Sequence, residues 1–348
     1  MLDSACLIFN PVAGQSDPDQ DLCEIKRHLK PHIHLDIQFT TEDISAQQLA
    51  QEALERNVEC LIASGGDGTV SQVAGVLVES DISLGIIARG TANAFANALN
   101  IPQDIEGACK VILAGKQRVV DMGRCEGKPM MLLAGVGLEA GMIEDANRKA
   151  KNRFGVLAYY IAAFKQWKGF KTFYAQLETQ DRIIEVEATA ITIANVAPAS
   201  SILAQGPAGI IVDDGLLDVT IFSPKNRWKA VGASYHLLLS ALAEDNATRN
   251  DIGYFRTQRI RVSTDPPQKV AVDGEVVGKT PVEIECIPGK LNILVPDKFS
   301  SEQPEKLQGL PGLKIKSKTG EPQNQVQTQQ KEEKSNIDVL IVDYRLPD

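Results

Sequence analysis

Two periods of hydrophobic and polar positions divide this chain. Up to about residue 115, short mainly apolar runs, and one alternating stretch at 34–40, take turns with segments whose apolar residues recur at helical spacing. Residues 5–9, 34–40, 58–62 and 83–88 read as strands, and 19–29, 44–56, 71–79 and 94–99 as helices. Strand then helix, four times over, predicts a parallel sheet with helices on its faces. From about residue 116 the runs shorten and mostly alternate: 118–123, 130–134, 173–177, 183–193, 217–222, 259–262, 269–272, 282–286 and 291–295, separated by Gly, Pro, Asp and Asn. That pattern predicts an antiparallel β-sandwich, interrupted by helical inserts near 155–168 and 227–244. Residues 300–336 are rich in Gln, Lys, Glu and Pro, as in a disordered linker, and an apolar strand-like run returns at 337–343. The expected organisation is therefore α/β plus all-β: an α/β domain over 1–120, a β-sandwich over 121–297, a linker over 298–336 and a terminal fragment over 337–348.

The candidate chemistry lies at the ends of the first four strands. Asn10 with Pro11 and Gly14, then Thr40, then Gly65-Gly66-Asp67-Gly68-Thr69, then Thr91 with Asn93 all follow a predicted strand and so share one edge of the sheet. Open α/β sheets bind their ligands at that edge. Three glycines within four residues let backbone approach a ligand, and the helix that follows offers unpaired N–H groups to an anion. No Gly-Lys-Ser/Thr follows, so this is not the Walker pattern, and the convergence points to a nucleotide or polyphosphate. In the second half, Asp213 to Asp218 puts carboxylates on a turn that suits either a hard divalent cation or a plain strand entry. Asp273-Gly274-Glu275 is a two-residue hairpin signal carrying a glutamate.

Charge narrows the partners. A net charge of −9 argues against nucleic acid as the main partner, so any anion site must be local. The six cysteines are scattered with no C-x-x-C pair and read as reduced core residues. His32 and His34 lack a third ligand nearby and receive no role. No signal segment and no apolar run of about 18 residues is visible, so the expectation is a cytoplasmic protein with at most peripheral membrane contact. Residues 148–173 interleave Arg148, Lys149, Lys151, Arg153, Lys165, Lys168 and Lys171 with aromatic residues. Such a segment suits either an anionic bilayer surface or a core helix with solvated lysines.

Taken in order, Asn10-Pro-Val-Ala-Gly14, Gly65-Gly-Asp-Gly-Thr69, Gly90-Thr-Ala-Asn93, Asp214-Gly-Leu-Leu217 and Asp273-Gly-Glu275 resemble the diacylglycerol kinase catalytic-domain family, in its soluble bacterial lipid kinase branch. The resemblance covers about residues 3–297. It implies ATP- and Mg2+-dependent phosphorylation of a membrane-lipid hydroxyl, diacylglycerol-like, in a cleft between the two domains at the inner face of the membrane. It places Asn10, Thr40, Gly65, Gly66, Asp67, Gly68, Thr69, Thr91 and Asn93 at nucleotide positions, with Thr40 preferred to Thr41. It places Asp214 at a structural Mg2+ ligand position, with backbone oxygens from Ile211 and Leu216, and Glu275 at the position of the proposed base. Asp67 would help to hold Mg-ATP. A homodimer is compatible with it. Ser71, Ala88 and Ala94 depart from residues common in the family and bear on nucleotide affinity and acceptor choice. Two alternatives stand beside this expectation: an NAD kinase-like enzyme, and a weakly active lipid- or nucleotide-binding regulator. Residues 338–348 resemble the phosphoacceptor strand of a two-component receiver, with Asp343 at the acceptor position. Only that strand is present, so no receiver function is expected.

Overall fold

The computed structural model describes residues 2–56, 58–137, 172–197, 211–223, 251–296, 307 and 309–317. The helical inserts, the basic-aromatic segment up to Lys171 and the receiver-like fragment lie outside the described residues.

The first four strands, β1 (Ser4–Phe9), β2 (His34–Phe39), β3 (Cys60–Gly65) and β4 (Ser83–Ala88), pair in parallel in the order β4-β3-β1-β2. Helices α1 (Pro18–Leu29), α2 (Ala46–Glu55) and α3 (Asp67–Leu77) connect them, as the alternation of periods requires. Asp17 caps α1 by accepting from the Asp19 and Gln20 amides, and Ser45 caps α2 through the Gln48 amide. Helix α3 differs from the expected 71–79: it begins at Asp67, with Gly66 as N-cap and no side-chain cap. Asp67, Gly68 and Thr69 are thus its first turn rather than a loop before it.

A short helix α4 (Ala94–Ala98) follows β4, and α5 (Ile105–Ala114), which the pattern did not predict, follows that. The Asp104 carboxylate caps α5 at the Gly107 amide (2.7 Å), and Gly115 ends it in the left-handed conformation that glycine adopts freely.

The antiparallel half is a sandwich. One sheet has the order β12 (Ile252–Thr257), β11 (Leu217–Phe222), β10 (Ala190–Ala194), β7 (Leu133–Gly137), β14 (Lys269–Val272), β15 (Glu275–Lys279). The other contains β5 (Gln117–Cys125), β6 (Lys128–Met130), β8 (Phe173–Glu178), β9 (Arg182–Ala188), β13 (Arg259–Asp265) and β16 (Val282–Leu294). Between them Val136, Ile191, Ile193, Val219, Ile221 and Phe255 meet Leu177, Ile184, Val186, Ile260, Val262 and Ile284 in one buried core. The apolar run 183–193 is therefore two strands in different sheets, and the chain turns the corner at Thr189, whose amide donates to the Phe222 carbonyl.

Conversely, the runs 282–286 and 291–295 belong mainly to one long strand, β16, bent by an irregularity between Ile287 and Leu291. Beyond that bend β16 lies parallel to β4, with Ile293 opposite Leu84, so the second sheet continues into the first. Leu291, Ile293, Leu294 and Val295 are accordingly buried in the core of the α/β half. Strand β5 runs across the boundary expected at residue 120.

The linker expectation needs correction over residues 307–317. Leu307 and Leu310 are buried in the sandwich core, and β17 (Lys314–Ser317) pairs antiparallel with β9. Lys316 also pairs with Glu185. A four-residue Lys-Ile-Lys-Ser strand takes its order from a backbone ladder and the ion pairs of Lys314 and Lys316 with Glu185, none of which shows as an apolar run.

None of the six cysteines is disulfide-bonded, and all but Cys23 are buried, as reduced core thiols should be. Burial pushes the Cys60 thiol up to about 12, which keeps it unreactive.

Candidate functional site

The glycine turn is held by the loops on either side of it. The Asn10 amide N–H donates to the Ser64 carbonyl (2.9 Å), and the Asn10 side-chain amide donates to Thr69 Oγ1 (2.9 Å). Asn10 Oδ1 in turn accepts from the Val12 amide (3.2 Å). On the other side the Arg89 amide donates to the Gly65 carbonyl (2.8 Å). Gly90 comes so close that a Cβ on it would stand 2.6 Å from the Gly66 Cα. A Cβ on Gly65 would meet Thr69 Oγ1 at 2.5 Å, whereas one on Gly68 would meet nothing within 4 Å. Gly65 and Gly90 are thus needed for packing, and Gly68 leaves open space over the first turn of α3, whose leading N–H groups have no partner within the helix.

Asn93 and Asp67 close the same corner. Asn93, in the left-handed conformation, accepts at Oδ1 from the Gly90 amide (2.7 Å) and donates to Gln103 (2.8 Å). Asp67 Oδ1 accepts from the Phe95 amide in α4 (3.1 Å). Asn10, Thr69, Asn93 and Asp67 therefore make contacts that shape the loops. Thr91 is exposed beside them, and Thr40 is anchored at the strand edge by its amide on the Phe9 carbonyl (3.0 Å). Thr41 has a different occupation, since its hydroxyl accepts from the Asp43 and Ile44 amides.

Arg89 was not among the candidates, although a lone arginine directly after a buried strand is a signal. Its side chain is 2% exposed and donates from Nε to Asp21 Oδ2 (2.7 Å) and from Nη1 to the Asn10 carbonyl (2.9 Å). The guanidinium carbon lies 4.2 Å from the centroid of the Phe9 ring, a cation–π contact. Ser16 donates to the same Asp21 oxygen (2.6 Å). Arg89 thereby ties α1, the β1 loop and the glycine turn together.

The hairpin carries the second group of candidates. Asp273 and Gly274 both have positive φ (48° and 89°), giving the two-residue turn expected between β14 and β15. Glu275 opens edge strand β15 and is exposed. The Asp273 carboxylate accepts from the amides of Met131 (2.7 Å), Leu132 (2.8 Å) and Leu133 (3.0 Å). Burial holds its carboxyl above the usual range against those three donors, and the Asp67 charge pushes it the same way. The two carboxylates belong to motifs far apart in sequence, yet the Asp67 charge is felt at Asp273.

Removing the anchor should be costly. Asp273→Ala strands three amides and places alanine at positive φ, an expected loss of about 2–3 kcal/mol in urea unfolding at neutral pH. Asp273→Asn, which tolerates that φ and keeps a carbonyl acceptor, should lose clearly less; equal losses would show that a neutral carbonyl cannot stand in for the carboxylate.

The Asp213–Asp218 turn lies at the junction of the two halves. Asp121 holds it: Oδ2 accepts from the Gly215 amide (2.6 Å), and Oδ1 from the Gly289 amide (2.8 Å) at the bend of β16. Arg118 grips Asp213 with two bonds (2.7 and 2.6 Å), and Arg256 donates to Asp214 Oδ2 (2.7 Å). Asp214 Oδ1 accepts from the Leu216 amide (3.0 Å). Among the described residues no group of three or more His, Cys, Asp or Glu side chains is placed to hold a metal ion.

Comparison with known proteins gives consistent matches over both halves. Residues 4–125 match the model of the diacylglycerol kinase catalytic domain, and residues 133–295 that of the YegS C-terminal NAD kinase beta sandwich-like domain. An uncharacterized protein of Synechocystis sp. is 44% identical over 301 residues, covering 83% of this chain and 70% of that one. A diacylglycerol kinase of Staphylococcus aureus is 26% identical over 306 residues, covering 87% and 96%. A crystal structure from Bacillus anthracis str. Sterne, provisionally assigned as a diacylglycerol kinase, superposes with a TM-score of 0.73 at 27% identity, covering 85% and 97%.

Proposed function

The chain belongs to the diacylglycerol kinase catalytic-domain family, and from that membership we propose that it transfers the γ-phosphate of ATP to a hydroxyl of a membrane lipid. The observation that carries this reading is the glycine turn at the head of α3, held by the Asn10 side chain on Thr69 and packed against Gly90, at the edge of a parallel sheet.

In this reading the amides of Gly66 and Gly68 and the N-terminus of α3 receive the phosphates, and Gly68 leaves room for them. Thr40 and Thr91 supply hydroxyls at the rim of the same edge. Magnesium, when bound with ATP, neutralises charge on the phosphates, and Asp67 is the side chain placed to hold it. Glu275 takes the proton of the acceptor hydroxyl, and Asp273 keeps that glutamate in position through the three amides of residues 131–133. Val276 and Val277, which follow the base, are 43% and 49% exposed. Apolar surface beside the base suits an acceptor hydroxyl that stands at a polar–apolar boundary. No helix among the described residues is long and apolar enough to cross a membrane.

The test is incubation with labelled ATP and Mg2+ in mixed micelles containing diacylglycerol, phosphatidylglycerol or a sphingoid base. NAD is a separate acceptor, because the sandwich model carries an NAD kinase-like description. Label is expected in a lipid product. Label in NAD with none in any lipid would overturn the proposal, and binding without transfer would favour a regulator.

A further inference from the structure

The resemblance to lipid kinases assigns a structural divalent cation to Ile211, Asp214 and Leu216, and the turn built by this chain does not fit one. Both oxygens of Asp214 already accept hydrogen bonds, Oδ1 from the Leu216 amide (3.0 Å) and Oδ2 from Arg256 Nη1 (2.7 Å). The neighbouring Asp213 is gripped by Arg118 at both oxygens, and both oxygens of Asp121 accept amides of the loops it joins. A hard cation takes six or more oxygen ligands and needs several anionic or carbonyl oxygens turned toward one point. Here the carboxylates are turned toward guanidinium and amide donors instead.

The charge balance agrees. Asp213 and Asp214 each pair with a guanidinium, and Asp121 is held by the Gly215 and Gly289 amides. Asp218 is engaged elsewhere, its Oδ1 accepting a hydrogen bond from Tyr254 Oη. The Asp214 and Arg256 side chains are 15% and 19% exposed, which shelters the pair from solvent screening. Arg256 also has a fixed origin: it stands on β12 directly opposite Asp218 of β11, so the sheet register delivers its guanidinium to the turn.

We propose that in this chain Arg256 takes the place of the structural divalent cation, pinning Asp214 while Arg118 pins Asp213. The turn then keeps its shape without metal, and any Mg2+ requirement of the protein belongs to the nucleotide alone. The inference concerns stability and metal content, so it stands or falls independently of the lipid kinase proposal.

The experiment uses the full chain without nucleotide, dialysed against EDTA and melted with EDTA, MgCl2 or CaCl2 at matched ionic strength. The expected result is one Tm in all three conditions and substoichiometric Mg and Ca in the dialysed protein by elemental analysis. Arg256→Met should lower Tm by about 3 °C or more and should regain part of that loss in MgCl2 or CaCl2. Adding Asp214→Asn to Arg256→Met should abolish the regain. Arg256→Lys, which restores a cation, should remain insensitive to both salts. One equivalent of Mg or Ca retained by the wild type, or a wild-type Tm that falls in EDTA and is restored by either cation, would overturn the proposal. Those wild-type results decide the matter even if Arg256→Met does not fold.

Discussion

Glu275→Ala is expected to lower kcat for phosphate transfer to a lipid alcohol by about 10²–10⁴-fold, the range ascribed to a positioned general base. ATP affinity should stay within about twofold, because the glutamate sits on edge strand β15 and the amides proposed to receive the phosphates sit at the start of α3. Glu275→Gln should fall as far as the alanine variant, since the amide keeps the shape and cannot take the proton. Nucleotide binding by calorimetry, set against turnover in micelles, separates the two quantities. Wild-type turnover by either variant would take the base role away from Glu275, and a large loss of ATP affinity would move the residue into nucleotide binding.

Arg89→Met should be the most damaging substitution for stability, at about 3–5 kcal/mol in urea unfolding. It leaves the carboxylate of Asp21 buried beside Ser16 with its cation gone, and it frees the Asn10 carbonyl that Arg89 holds. A buried ion pair is a weak net stabiliser once both desolvation costs are counted, so the double variant Arg89→Met with Asp21→Leu should recover most of the loss. Additive losses in that cycle would show that the two side chains act separately. In the single variant ATP binding should weaken as well, because Asn10 and the Gly65 carbonyl are both fixed from the Arg89 segment.

The parts of the fold and site readable from the sequence are those set by local rules. Strands β1, β3 and β4 appeared as apolar runs because each is buried in a sheet that helices cover, β2 appeared as an alternating stretch because it lies at the sheet's edge, and the turn at Asp273 and Gly274 was readable because two consecutive positive φ values call for that dipeptide. Hidden from the sequence were the relations set by tertiary packing. The run 183–193 looked like one strand, and nothing local distinguishes Thr189 as the corner where the chain changes sheet. Helix α5 was missed although Asp104 and Gly115 bracket it with ordinary cap signals, since Pro102 and the β pattern after residue 116 drew the boundary elsewhere. The site residues followed the same division. Glycines and hydroxyls at strand ends were visible as motifs, whereas the tasks of Arg89, Asp21 and Asp121 depend on partners between about 70 and 170 residues away. Asp273 was seen in its motif but not as an anchor, because the amides it holds belong to a different part of the chain.

The pairing of β4 with β16 also bears on how the chain is made. As the ribosome releases the α/β half, β4 has β3 on one side, while Ile293, its partner on the other, lies about two hundred residues further on and is still to be synthesised. For that interval the nascent chain carries an unpaired strand edge of Ser-Leu-Gly-Ile-Ile-Ala, the kind of edge that recruits other chains. Truncated products ending before Leu291 would leave that edge unsatisfied permanently. A chaperone that shields it during translation would guard the molecule at the strand on which its two halves join.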